Sequence, residues 1–158
     1  MNWPHLHIAL NHLPVFGVLF LLLLLITALL RKSAELTRVT LWAWIALAAV
    51  TVPIHSTGER AFEDLMQDPA VEDRFVKPHD DAAGQAVTAV FVLGVLAAVG
   101  LFLSRRGRPT PRWILFSLLV GSLLAFLLMA RAANLGGQIR HPEVRPSAGG
   151  PSKKWQAT

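Results

Sequence analysis

Eighteen consecutive residues, Leu13 to Leu30, carry no charged side chain, and no other feature restricts the fold of this chain so strongly. The run is too long for a strand. As a helix rising about 1.5 Å per residue it nearly crosses a hydrocarbon layer roughly 30 Å thick. Hydrophobic residues make up 53% of the 158 residues and charged ones 16%. Because nearly all the charges fall between apolar runs, this composition describes a small integral membrane protein and excludes a disordered, collagenous or disulfide-stapled chain. The absence of cysteine also excludes thiolate-held iron–sulfur clusters, thiol catalysis and Cys-ligated zinc.

Four segments are long enough to span: about Ile8 to Leu30, Leu36 to Ile54, Ala82 to Leu103, and Trp113 to Asn134. They predict an all-α transmembrane four-helix bundle over residues 1–143. Its spans are 8–30, 36–54, 82–103 and 113–134, with an acidic outer loop at 55–81 and a disordered tail at 144–158 that is rich in Pro, Gly, Ser and Lys from Pro146 onward. Met1 to Leu13 holds no Lys or Arg, so the first run is expected to stay as a span rather than serve as a cleaved signal. Pro53 is expected to close the second helix, Asp80 and Asp81 to cap the third, and Gly136 with Gly137 to stop the fourth. Trp3, Trp42, Trp44, Trp113 and Trp155 read mostly as interface anchors.

Charge sets the orientation. Arg31, Lys32 and Arg38 follow the first span against a single Glu35, and Arg105, Arg106, Arg108 and Arg112 follow the third with no acid. The segment 55–81 instead holds Glu59, Glu63, Asp64, Asp68, Glu72, Asp73, Asp80 and Asp81. The positive-inside bias then predicts cytoplasmic short loops and an N-out, C-out topology. It also accounts for the net charge of +5 without a nucleic-acid partner. The partner implied by the spans themselves is membrane lipid.

With that topology, all six histidines (His5, His7, His12, His55, His79 and His141) fall at or beyond the outer helix ends. His12 lies about one turn inside the first span beside Asn11, a depth at which a polar pair needs satisfaction. His5 is seven residues earlier and on nearly the same face, whereas His7 points the other way, and both are expected to be interfacial rather than ligands. His55 opens a stretch with Glu59 and Glu63, and His79 stands where the third helix is expected to begin. Arg131 and Asn134 share a face of the last helix, followed by Arg140, His141 and Glu143.

Two chemistries could use this set. Neutral imidazoles from facing helices can ligate a b-type haem axially. His12 and His79 form the expected pair, with Arg131 or Arg140 meeting the propionates. Alternatively, Glu59, Glu63, His79, His141 and Glu143, with His55 nearby and His12 in support, could hold non-haem iron, manganese or zinc. A third alternative is a cofactor-free structural or assembly subunit of a larger membrane complex. No paired Glu-x-x-His, His-Glu-x-x-His, phosphate loop or nucleophile elbow is present, so no reaction is predicted. A transporter is disfavoured because no span carries a charge at its centre.

Asn11-His12-Leu13-Pro14 after Leu6-His7, Thr57-Gly58-Glu59 after the second span, and His79 at the third together resemble a group of uncharacterised bacterial four-helix membrane proteins. The resemblance covers about residues 5 to 143. That group is similar in layout to two-haem b-type membrane cytochromes, which implies a multi-pass protein of the bacterial inner membrane. It also implies b-haem ligation by His12 and His79, and the one-sided histidine set with His12 inside the span adds the expectation of electron transfer to a quinone or a periplasmic carrier. No histidine lies at the cytoplasmic ends, so a second haem there is not expected, and Glu59 and Glu63 have no part in the haem scheme.

Overall fold

The computed structural model describes residues 2–67 and 72–145. Five α-helices account for most of it: α1 (Trp3–Leu10), α2 (His12–Leu30), α3 (Ala34–Met66), α4 (Asp73–Leu103) and α5 (Arg112–Arg140). α1 and α2 form one continuous span from Trp3 to Leu30, so four helical rods are long and apolar enough to cross a membrane. The break between α1 and α2 falls at Asn11, three residues before Pro14, whose ring nitrogen cannot donate to the Leu10 carbonyl.

Each rod packs against its neighbours in sequence, and α5 closes the ring against α2. The α1/α2 rod and α4 are therefore diagonal, as are α3 and α5. The start of α1, the end of α3, the start of α4 and the end of α5 lie at one end of this four-helix bundle, and the two arginine-rich turns lie at the other.

Inside the spans the core is built from shape. Lipid tails are as apolar as leucine, so close packing rather than the hydrophobic effect holds transmembrane helices together. Val18, Leu25, Leu41, Val90, Ala97, Ile114 and Leu118 are fully buried around Trp44. Trp44 is therefore a core residue and not the interface anchor expected of it; Trp42 and Trp113 do stand exposed near span ends, and Trp155 lies outside the described residues. Buried hydroxyls turn back on their own helices, with Thr40 donating to Leu36 O, Thr51 to Leu47 O and Ser122 to Leu118 O. In a layer without water such internal satisfaction is the available solution.

Three sequence expectations about helix ends are corrected. α3 runs through Pro53 to Met66. An interior proline costs about 3 kcal/mol, but the buried stripe Leu47, Thr51, Ile54, Thr57, Ala61 continues unbroken across it, and that packing outweighs the lost bond. α4 begins at Asp73, so Asp80 and Asp81 lie about two turns inside it instead of capping it, and much of the acidic segment 55–81 is helix. α5 passes through Gly136 and Gly137 to Arg140. Its last turn is held by Arg145, which donates from Nε to Gln138 O at 2.8 Å and from Nη2 to Ile139 O at 3.1 Å. Residues 144 and 145 are thus ordered against the bundle, while the expected tail from 146 onward lies outside the described residues. At 33 residues, α3 is about 50 Å long and exceeds the hydrocarbon thickness by about 20 Å.

The opposite end is tighter. α2 closes with Ser33 N donating to Ala28 O and Lys32 N to Leu29 O, both at 3.1 Å, around Lys32 at φ 49°. This is the Schellman arrangement, with lysine where glycine is usual. Ser33 then caps α3 by accepting from Leu36 N.

Two predictions come from this end. Lys32→Gly should stabilise the protein by about 1 kcal/mol by removing the left-handed penalty, read as a raised thermal midpoint in detergent. Because the chain has no native cysteine, single cysteines report cleanly on orientation. In intact cells an impermeant maleimide should label Glu63→Cys, and should label Ser33→Cys only after permeabilisation; the opposite pattern would reverse the topology.

Candidate functional site: a pair of anchored histidines

The buried stripe of the first rod, Pro14, Val18, Leu21, Leu25 and Ala28, fixes which histidine faces inward. His12 precedes Pro14 by two residues, about 200° around the helix, whereas His7 precedes it by seven and returns to the same face. Accordingly His12 is exposed. Its Nδ1 makes a long 3.4 Å contact to Ile8 O, and its ring stacks near Phe16, itself 64% exposed. His12 thus lies on the surface of the bundle and makes no contact with His79, and the residue that does face inward is His7.

His7 sits against α3. Its Nδ1 is 3.3 Å from Thr57 Oγ1, and the Thr57 hydroxyl gives its own proton to Ile54 O at 2.6 Å. The hydroxyl oxygen therefore accepts from His7, which places the ring proton on Nδ1. The ring lies over Gly58, where a Cβ would come within 2.9 Å of Cε1.

His79 repeats the arrangement on α4 and α5. Its Nδ1 is 2.8 Å from Ala132 O, and a carbonyl can only accept, so Nδ1 again carries the proton. Its ring lies over Gly136, where a Cβ would come within 3.0 Å of Cε1. This contact explains a glycine in the middle of a helical turn, at the position expected to end the helix.

Both rings thus spend Nδ1–H on a protein oxygen, and neither Nε2 has a hydrogen bond among the described residues. They come from diagonal rods and lie within electrostatic range of each other, as do His7 and His55. A second-atom anchor of this kind fixes tautomer and ring orientation and leaves a basic lone pair for a metal.

The remaining candidates are dispersed. His55 Nε2 is 3.7 Å from Glu59. Both residues, with Glu63, Asp80 and Asp81, line an open groove of about 1130 Å³ between α3 and α4. His141 bonds Glu143 at 2.9 Å in solvent; the Glu143 carboxyl is held below its ordinary range by its own backbone N–H and then by His141. The set Glu59, Glu63, His79, His141 and Glu143 is not drawn together, and no group of three or more His, Asp or Glu is placed to hold a metal among the described residues. Arg131 donates to Gln85 on α4 at 3.2 Å, and the Arg140 side chain lies outside the described residues. Arg145, not anticipated from the sequence, ties α5 to α4 by bonding Glu72 at 3.2 Å and covering Phe75.

A double-mutant cycle tests the glycine seat. Gly136→Ala alone should destabilise by about 1–2 kcal/mol, since the added methyl meets the ring. In a His79→Ala background the same change should be nearly neutral, giving a coupling of about 1 kcal/mol in thermal or denaturant unfolding.

No family model matches this chain, and neither a curated protein nor a solved structure is significantly similar to it, so the functional reading rests on the geometry of these two rings.

Proposed function

We propose that the chain is an integral membrane redox protein whose His7 and His79 ligate one b-type haem, or a comparable metal cofactor, at the end of the bundle where α1 begins and α5 ends. The observation that carries this reading is the pair of imidazoles with Nδ1 anchored and Nε2 free, offered from diagonal rods. The choice of His7 replaces His12, which faces outward. When bound, a bis-imidazole haem supplies one-electron transfer.

The residues of this chain do the rest. Thr57 and Ala132 O hold the two rings in their ligating tautomer and raise their basicity. Gly58 and Gly136 let the rings lie against neighbouring helices. Because α1 packs on α3 rather than on α4, the two rings are not brought together by backbone contact between their own helices. The arginine-rich turns orient this end away from the cytoplasm of a bacterial inner membrane, which makes a membrane quinone or a periplasmic carrier the electron partner.

Absorption spectra of the detergent-purified protein, air-oxidised and dithionite-reduced, test the assignment alongside metal analysis of the same sample. Expression with haem available should give a sharp Soret band and visible bands that split on reduction. His7→Ala and His79→Ala should each abolish them, while His12→Ala should keep full cofactor content. Full content in both the His7 and His79 variants, or no cofactor and no stoichiometric metal in the wild type, would overturn the proposal.

A further inference from the structure

The arginine-rich end holds a second cavity that the histidine site does not use. It measures about 470 Å³ and lies between the start of α3 and the end of α4, lined by Arg38, Trp42, Phe102, Arg105 and Arg106 among others. We propose that it binds the phosphate headgroup of an anionic phospholipid, with the acyl chains running down over Trp42 and Phe102.

The cavity is amphiphilic in the required sense. Trp42 is 60% exposed and Phe102 62% exposed, two aromatic faces left uncovered at a depth where indoles mark the membrane interface. Arg38, Arg105 and Arg106 line the same cavity. Arg105 is fixed in place: its Cζ lies 3.6 Å over the Phe102 ring and its Nε donates to Phe102 O at 3.1 Å.

Arg38 and Arg106 have no ion pair, hydrogen bond or ring contact among the described residues. Glu35 is the one acid within segments 31–38 and 104–112, and it does not line the cavity. The cations therefore have no internal counter-ion. Guanidinium also pairs with phosphate oxygens in a bidentate fork that suits a phosphodiester.

The usual objection to an anion here is the negative end of α4. That end is screened, because Ser104 Oγ donates to Gly100 O at 2.7 Å and Arg105 covers Phe102 O. The backbone then turns away through Arg106 at φ 60° and Gly107 at φ 76°. A free phosphate would use the arginines but not the aromatic walls, whereas a phospholipid uses both. Basic recesses between transmembrane helices have this lipid preference in general.

The test measures the thermal unfolding midpoint of the full chain in detergent while phosphatidylglycerol, phosphatidylcholine or inorganic phosphate is titrated in. Native mass spectrometry follows retained lipid in the same samples. Phosphatidylglycerol should raise the midpoint and be retained, and the other two should not. Arg38→Gln with Arg106→Gln should weaken the lipid by about tenfold or more. Arg31→Gln with Arg112→Gln, which removes equal charge outside the cavity, should leave its affinity unchanged.

Equal effects of the two lipids would overturn the proposal, since the headgroup charge would then be irrelevant. So would the whole effect appearing with inorganic phosphate alone, an anion site that needs no lipid, or equal losses in the two double variants, a diffuse charge effect. If the Arg38/Arg106 variant does not fold, the wild-type comparison of the two lipids and the Arg31/Arg112 control still decide the matter.

Discussion

A backbone N–H or C=O inside the hydrocarbon layer has no water to bond, so each must be satisfied within the chain. That requirement makes the spans helical and turns the buried Thr and Ser hydroxyls back onto their own carbonyls. It also explains why polar function collects at the ends of the rods. Toward these ends His7 and His79 each bond an oxygen of a neighbouring rod. The helices are longer than the hydrocarbon layer is thick, and His7 and His79 lie toward the ends of their rods.

The two ends of the bundle consequently obey different physics. Between the spans, close packing around Trp44 sets the geometry, since burial from lipid gains little. Beyond the membrane the same helices meet water, and burial of Ile54, Ala61 and Val76 gains the usual hydrophobic stabilisation of roughly 25 cal/mol per Å² of apolar surface. This second contribution carries α3 past Pro53 and gives α1 and α5 surfaces to lean on. The glycine seats of His7 and His79 belong to this outer layer. Each ring fills the place of a side chain that its neighbour lacks, so ring and glycine act as one packing unit.

The spans, their number and the clustering of basic residues at one end were legible in the sequence because hydropathy and charge are local properties. The extent of the helices was not. Pro53 and Gly136 carry strong local stop signals, and what overrides them is contact with another helix: the buried stripe of α3 in one case and the His79 ring in the other. Of the two anchored histidines, only His79 was expected as a ligand, and His7 was read as interfacial. His79 stood out beside Pro78, and His7 was correctly placed on the face opposite His12. Which of those faces looked inward depended on the stripe from Pro14 to Ala28, and extending its heptad-like spacing back by seven residues reaches His7. The dispersal of Glu59, Glu63, His141 and Glu143 could not be read at all, because it depends on how the rods are ordered around the axis.

Pro14, Pro53 and Pro78 all fall in the half of the bundle that holds the histidines. Each removes one rung from its helical ladder, at the carbonyls of Leu10, Ala49 and Arg74, while the half nearer the arginines keeps its ladders whole. Local opening follows the weakest hydrogen bonding. The half with the prolines therefore has fewer helical hydrogen bonds holding it than the half with the short turns. Amide protons toward the proline end are the ones expected to exchange faster, because fewer rungs hold them.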